Sequence, residues 1–159
     1  FYIVGSSSFG RSSTITLTSC VVSSNTASYA AGFYIAAGAT VITMISCEVS
    51  SNIAKYGGGI TVRRATVTLT FCVVSNTAEV YGGGFYIEDS AATLTSCKVS
   101  SNTAYYGGGI RLNKDTDIVN LIGCAFTSNT AWGSQGGSGD IHYFSSILNF
   151  YSLCPGASK

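Results

Sequence analysis

The sequence predicts an all-β chain wound into a parallel β-helix, or β-solenoid, of about five coils and a partial sixth. Three observations predict it: a unit of about 25–30 residues recurs, apolar residues alternate with Thr in each unit, and a glycine cluster follows. A repeat of this length without a helix-length apolar stripe is typical of a solenoid coil. We therefore expect one domain over 1–159, wound right-handed because parallel crossovers almost always are.

Cysteine and asparagine mark the register of the repeat. The cysteines stand at Cys20, Cys47, Cys72, Cys97 and Cys124, with Cys154 in a looser final copy. An asparagine follows each of the first five, at Asn25, Asn52, Asn76, Asn102 and Asn129. Because equivalent residues stack in a solenoid, we expect an asparagine ladder at a turn, where Asn tolerates left-handed backbone and its amide bonds the next copy.

The segment before each cysteine alternates strictly, as in "TITLTSC" and "TVTLTFC". Period-two alternation rich in Thr, Val and Ile predicts strands with one apolar face. The predicted core is Ile15, Leu17, Val22, Ile42, Met44, Val49, Val67, Leu69, Val74, Leu94, Val99, Leu121 and Phe126.

Glycine triplets sit beside tyrosines, as in "AKYGGGI", "EVYGGGF" and "TAYYGGGI". Three glycines permit a tight, partly left-handed corner with no Cβ to clash between stacked coils. We expect the neighbouring tyrosines to stack as an aromatic ladder, formed by Tyr29, Tyr56, Tyr81 and Tyr106.

Composition excludes several classes of function. The net charge is +1 and no basic cluster occurs, which disfavours nucleic acid as a partner. The apolar residues come in short bursts, so no membrane span is predicted. The chain lacks an initial Met and a charged-then-apolar leader, which favours a mature form or a fragment.

Two short motifs of the repeat resemble those of a known family. The first is a Phe-x-x-Asn motif: "FTSN" at 126–129 matches it, and "VSSN" beginning at 22, 49 and 99 has Val in place of Phe. The second is a Gly-Gly-Ala-Ile-like motif, which "GGGI" beginning at 57 and 107 matches with Gly in place of Ala. The pairing resembles the repeat of chlamydial polymorphic outer-membrane proteins and related surface β-helices. The resemblance covers nearly the whole chain. It implies a right-handed parallel β-helix exported to the cell surface, often as an adhesin.

The cysteines allow three interpretations. Metal binding needs ligands that converge on a point, whereas a ladder spreads them along an axis. The Cα atoms of stacked cysteines in adjacent coils lie close enough for a disulfide. Their side chains point in parallel directions, however, which disfavours the geometry of a disulfide bond. We favour free, stacked thiols that behave as small apolar side chains.

Four carboxylates are candidates for a catalytic pair. Polysaccharide-processing β-helices gather several carboxylates on one outer face. Here Glu88 with Asp89, and Asp115 with Asp117, fall at turns, and we predict that they are solvated turn charges. The positions that we align with them in neighbouring coils are Ala36, Arg63 and Ser90. No catalytic residue is predicted.

Metal and cofactor sites are not predicted either. His142 lacks a recognisable nucleophile motif or further zinc ligands, so we expect a structural His on a strand. Asp140 offers one oxygen side chain, which is weak evidence for calcium.

Outward threonines form a Thr-x-Thr array of the kind that ice-binding solenoids present to water. Its members are Thr16, Thr18, Thr68, Thr70, Thr93 and Thr95. Ile45, Asn120 and Ile122 interrupt the array, and Thr is ordinary on an exposed strand. We favour an ordinary exposed face.

These observations together predict a non-catalytic, extracellular or cell-surface structural or adhesive module with a glycan or cell-surface partner. The alternatives are a polysaccharide-binding or polysaccharide-cleaving β-helix and an ice-binding solenoid. We also expect head-to-tail stacking into a filament, and the alternative is that flanking coils or caps of a longer chain cover these ends. Phe1 and Ile3 align with Phe33 and Ile35, so the first coil offers strand edge that a final coil around 147–150 could continue.

Overall fold

The structure is a computed structural model that describes residues 1–4, 13–36, 40–133, 139–142 and 147–151. Within these ranges the chain is all-β and contains no helix. It winds through five coils and part of a sixth, which confirms the predicted β-solenoid.

The strands follow one another in the same order in every coil. The first coil holds β1 (Tyr2–Val4), β2 (Ser13–Thr18), β3 (Val21–Ser23) and β4 (Thr26–Tyr29). The second holds β5 (Phe33–Ala36), β6 (Thr40–Ile45) and β7 (Glu48–Tyr56), and the third β8 (Ile60–Arg63), β9 (Thr66–Thr70) and β10 (Val73–Tyr81). The fourth holds β11 (Phe85–Glu88), β12 (Ala91–Thr95), β13 (Lys98–Ser100) and β14 (Thr103–Ala104). The fifth holds β15 (Ile110–Leu112), β16 (Ile118–Ile122), β17 (Ala125–Thr127) and β18 (Thr130–Ala131), and the partial sixth β19 (Ile141–His142) and β20 (Ile147–Tyr151).

Stacking of the coils produces three parallel sheets. Sheet 1 has the order β1-β5-β8-β11-β15-β19, and sheet 2 the order β2-β6-β9-β12-β16-β20. Sheet 3 contains β3, β4, β7, β10, β13, β14, β17 and β18. Equivalent repeat positions pair directly, so the sequence register is the structural register.

One copy of the repeat is a residue shorter than its neighbours. The third coil reads "VSN" where the second reads "VSSN". The pairing of β10 with β7 shifts between Ser75 and Thr77, so the missing residue is absorbed there as a local irregularity. Asn76 consequently stays in line with the other asparagines.

The core lies between the three sheets and includes every predicted core residue. Those in the inner coils are fully buried, whereas Ile15, Leu17 and Val22 of the first coil are half-buried. The prediction omitted the inner face of sheet 1, whose short strands bury Phe33, Ile35, Ile60, Val62, Phe85, Ile87, Ile110, Leu112 and Ile141.

The glycine corner has the predicted geometry. Gly57, Gly82 and Gly107 have φ of 63°, 60° and 63°, and Ala30 takes the same left-handed position with φ 47°. A Cβ on Gly83 would lie 2.5 Å from the carbonyl oxygen of Gly108 in the next coil. Glycine therefore relieves both the backbone conformation and the close approach of adjacent coils at these three corners, whereas Ala30 and Ala31 take the equivalent positions at the first corner.

The asparagine ladder is present, but its backbone conformation was predicted wrongly. The left-handed residue is the serine before the asparagine, with φ of 60° at Ser24 and 57° at Ser51. The asparagine side chains bond from coil to coil: Oδ1 of Asn52 accepts from the backbone N–H and Nδ2 of Asn25, at 3.1 and 2.9 Å. Asn52 bonds Oδ1 of Asn76 in the same way, at 3.0 and 2.9 Å. The ladder thus satisfies buried polar groups at this corner.

Candidate functional site

Two rows of aromatic side chains flank the glycine corner. The first row is the predicted tyrosine ladder of Tyr29, Tyr56, Tyr81 and Tyr106, with successive ring centroids 4.9, 5.6 and 5.6 Å apart. The second is a column on sheet 1, fixed by strand pairing, of Tyr2, Tyr34, Thr61, Tyr86, Arg111 and His142. We call the space between the two rows the tyrosine groove.

The rings of the sheet 1 column stack where tyrosines are neighbours. Tyr2 and Tyr34 lie 4.9 Å apart with planes inclined by 5°. Tyr86 reaches across the groove to Tyr81, at a centroid distance of 5.8 Å and an interplanar angle of 13°. This row was not predicted from the sequence, although the recurring "FYI" at 1, 33 and 85 contains its tyrosines.

Thr61 interrupts this column and leaves a notch between Tyr34 and Tyr86. A cavity of about 230 Å³ opens there, lined by Tyr29, Tyr34, Tyr56, Thr61, Arg63, Tyr81, Tyr86 and Glu88. A second of about 340 Å³ is lined by Tyr2, Tyr29, Tyr34 and Arg63, and a third of about 180 Å³ by Tyr34, Ala36, Arg63 and Arg64. The first two cavities lie in the tyrosine groove, and the third adjoins it at Tyr34 and Arg63 but is lined by no residue of the tyrosine ladder.

Charged and phenolic groups are linked at the edge of the groove. Arg63 Nε lies 2.8 Å from Glu88 Oε2, and its Nη1 donates to the Tyr34 hydroxyl at 3.3 Å. The hydrogen bond with Tyr34, with the charge of Glu88, raises the pKa of Arg63. Burial, and secondarily Glu88, raises the pKa of Tyr86 to about 12. The Tyr86 phenol therefore stays neutral and donates to Glu88 at 3.5 Å.

Arg111 joins the two rows farther along the groove. Its guanidinium lies 5.5 Å from the Tyr81 ring centroid and 5.7 Å from that of Tyr106. The residue is only 4% exposed, and burial lowers its pKa. Cation–π contact with two rings stabilises the charge and holds the tyrosines in place.

The carboxylates differ from the prediction in two respects. Asp117 is buried and is not a solvated turn charge: its oxygens accept from the backbone N–H groups of Ser90, Asn113 and Lys114 at 3.1, 2.8 and 2.8 Å. Burial raises its pKa despite these bonds. Glu88 is not a solvated turn charge either: it ends β11, its side chain is 17% exposed, and it pairs with Arg63, with which the predicted alignment had placed it in register.

The remaining acidic turn residues lie outside the groove lining. Asp115 is exposed, and half-buried Asp89 accepts from Thr116 Oγ1 at 2.9 Å. Asp140 accepts from Asn129 Nδ2 at 3.0 Å and so extends the asparagine ladder. His142 lies on β19 with its ring 5.5 Å from that of Tyr106. Among the described residues, no three His, Cys, Asp or Glu side chains gather where they could hold a metal ion.

The five described cysteines form a column of free thiols at the corner between sheets 2 and 3, and Cys154 lies outside the described residues. Their sulfurs donate to backbone carbonyls, as Cys124 Sγ does to Leu94 O at 3.2 Å. Burial raises the pKa of Cys47, and hydrogen bonds with Cys124 and Cys72 raise that of Cys97. These thiols are therefore packed and satisfied within the wall of the solenoid.

The threonine face lies on sheet 2, opposite the core. Strand pairing stacks Thr16, Thr43, Thr68 and Thr93 in one outward column. The adjacent column is Thr18, Ile45, Thr70 and Thr95. Thr43 was not among the predicted members of the array, and Ile45 interrupts the second column as predicted.

Fold and groove together define a parallel β-solenoid with an aromatic cleft along one corner. Comparison with protein families, with curated proteins and with solved structures gives no match for this chain. The resemblance to polymorphic outer-membrane repeats stays a prediction from the sequence. In the part of the chain that the structure describes, no helix is long and apolar enough to cross a membrane.

Proposed function

We propose that the chain is a non-catalytic, extracellular adhesive module that binds carbohydrate in the tyrosine groove. The observation that carries the proposal is the pair of facing tyrosine rows with Arg63 and Glu88 at their edge. Aromatic faces pack against the apolar C–H faces of sugar rings, and charged groups bond the hydroxyls.

The solenoid supports binding because it holds the rings in place before a ligand arrives. Tyr29 and Tyr56 stack at 4.9 Å, and their strands pair in register with the next coil. A preorganised site loses less side-chain entropy on binding than a flexible one. An elongated groove across several coils suits a chain of sugar units.

Cleavage of the bound sugar is not part of the proposal. Most glycosidases place two carboxyl groups on either side of the scissile bond. Among the described residues that line the three cavities, Glu88 is the one carboxylate, and Arg63 pairs with it. We expect no release of reducing ends from pectins, alginates or glucans.

A panel of polysaccharides tests the proposed function. We expect the purified chain to be retarded in affinity gels that contain a bound polysaccharide, and Tyr29→Ala and Tyr56→Ala to lose that retardation. Tyr151→Ala is the matched control, because this tyrosine lies on sheet 2 and is 51% exposed. Absence of retardation by every polysaccharide, or equal loss in the control, would contradict carbohydrate binding in the groove.

A second proposal is head-to-tail self-association, and the two ends of the solenoid support it. Apolar residues that point into the core are only half-buried at both ends: Ile3, Ile15, Leu17 and Val22 at one, and Leu148 and Phe150 at the other. Such surfaces favour a further coil, supplied by a second copy or by more of the same chain. Concentration-dependent sedimentation and fibres in electron microscopy would support a filament, and a monomer at high concentration would contradict it.

A further inference from the structure

We propose that the notch at Thr61 is the subsite of the tyrosine groove that takes one anionic sugar unit, a pyranose carrying a carboxylate or a sulfate group. This inference rests on the proposed carbohydrate binding and adds the class of sugar and its place.

The strand spacing at the notch corresponds to one missing ring. Tyr2 and Tyr34 show how the sheet 1 column stacks, with 4.9 Å between rings. Thr61 occupies the next position and Tyr86 the one after, so the two flanking tyrosines are two strand spacings apart, about 9.6 Å. Because the Tyr86 ring is stacked on Tyr81, the ring that an inserted sugar meets in this column is that of Tyr34. A pyranose can fill the position with a C–H face toward Tyr34.

The buried hydroxyl of Thr61 is the second observation. Thr61 is 2% exposed and lines the cavity, yet its Oγ1 has no hydrogen-bond partner. A buried hydroxyl without a partner is costly, and its presence calls for an explanation. The Oγ1 atom lies on the side of Gly57, and rotation about χ1 to another staggered position turns it away from that glycine. A sugar hydroxyl in the notch supplies the missing partner after that rotation.

The charge around the notch selects an anion. Arg63 lines the cavity at the notch, Arg64 lines the adjoining cavity beside Ala36, and Arg111 packs on Tyr81 and Tyr106 farther along the groove. Glu88 offsets one of these charges. Arg63 uses Nε and Nη1 for Glu88 and Tyr34, and a guanidinium has five N–H donors, which leaves donors for a carboxylate or sulfate. Its side chain is 44% exposed, so an incoming anion can reach it.

Filling the notch tests the site directly. Thr61→Tyr inserts the missing ring, and the coil should accommodate it because Tyr34 and Tyr86 occupy the same column position in adjacent coils. The probes are polygalacturonate, a sulfated galactan and a neutral galactan, with affinities measured by calorimetry. We expect wild type to bind at least one anionic polymer more tightly than the neutral one, and Thr61→Tyr to lower that affinity about tenfold or more. Thr68→Tyr, a ring added on sheet 2, is the matched control and should bind like wild type.

A second variant distinguishes the contribution of charge to binding from that of the shape of the notch. Arg63→Gln should abolish the preference for anionic over neutral galactan and lessen the salt dependence of binding. The two anionic polymers distinguish a carboxylate-bearing from a sulfate-bearing ligand.

Three results would overturn the inference. Full affinity in a folded Thr61→Tyr variant, or equal affinity for neutral and anionic polymers, would refute the subsite and leave the proposed function standing. Failure of wild type to bind any of the polymers, here and in the affinity gels, would refute the proposed function as well. Circular dichroism and the melting temperature establish that each variant is folded.

Discussion

Arg63 and Glu88 stand directly opposite each other on adjacent strands of sheet 1 and form an ion pair with Nε and Oε2 2.8 Å apart. The same column has Ala36 in the coil before, so this ion pair lies beside the notch and has no counterpart between the second and third coils. Since Arg63 also bonds Tyr34 and Glu88 accepts from Tyr86, the pair connects the two tyrosines that flank Thr61. It fixes the edge of the proposed subsite.

Removing the charge of Glu88 should strengthen binding of anions. In Glu88→Gln the guanidinium of Arg63 loses its competing carboxylate, and we expect several-fold higher affinity for polygalacturonate or sulfated galactan. The pair is partly exposed, so the free energy of unfolding should fall by less than about 1 kcal/mol. Calorimetry and urea denaturation measure the two effects. Glu79→Gln, an exposed acidic residue on β10, is the control, and an equal gain there would indicate a nonspecific charge effect.

Close packing at the glycine corner predicts a large effect of a single methyl group. Gly83→Ala places a Cβ 2.5 Å from Gly108 O and 2.6 Å from Thr103 O, both backbone atoms of the next coil. Because neither atom can move without displacing a strand, we expect a loss of more than about 2 kcal/mol in urea denaturation.

Gly123→Ala provides the matched comparison. Its φ is 58°, but the nearest atom to its Cβ is Ser96 Oγ at 3.8 Å, so only the left-handed backbone is strained. A loss of about 1 kcal/mol is expected. If Gly83→Ala and Gly123→Ala lowered the free energy of unfolding by similar amounts, the spacing of the coils would not be the reason for glycine at position 83.

The left-handed residue before Cys72 predicts a stabilising substitution. Phe71 has φ 54° and is 62% exposed, whereas the equivalent position in the fifth coil is Gly123. A bulky residue is strained in this region, and Asn adopts it readily. We expect Phe71→Asn to raise the free energy of unfolding by about 0.5–1 kcal/mol. A clear decrease would mean that the Phe71 ring makes a stabilising contact that outweighs the backbone strain.

Much of this architecture was predictable because, in a solenoid, residues at equivalent positions of successive repeats lie next to each other. The cysteine and asparagine positions alone specified the pairing of sheets 2 and 3. The second tyrosine row was not identified, because "FYI" indicates a strand without indicating that its tyrosine faces Tyr81 across a corner. Burial of Asp117 depends on the backbone of Ser90 in the preceding coil, which no local pattern reveals. Left-handed serines such as Ser51 resemble ordinary exposed turn serines in sequence.

The thiol column predicts a specific labelling pattern. Cys47, Cys72, Cys97 and Cys124 are buried and free, whereas Cys20 is half-buried in the first coil. Iodoacetamide at neutral pH should label Cys20 faster than the other four in the folded chain. After denaturation without reductant all five should react, as measured by peptide mass spectrometry. Failure of any of the five to react in the denatured chain would indicate a disulfide in place of a free thiol.

Tyrosine side-chain resonances, followed by nuclear magnetic resonance during titration with an oligosaccharide of galacturonate, test carbohydrate binding in the groove most directly. The account predicts saturable shifts of the ring signals of Tyr34, Tyr56 and Tyr86, with Tyr151 on sheet 2 unchanged. If a sulfated galactan oligosaccharide is the ligand instead, the same rings should respond to it. Titration of both ligands without a change at these rings, or with changes confined to Tyr151, would contradict the assignment of the tyrosine groove as a binding site.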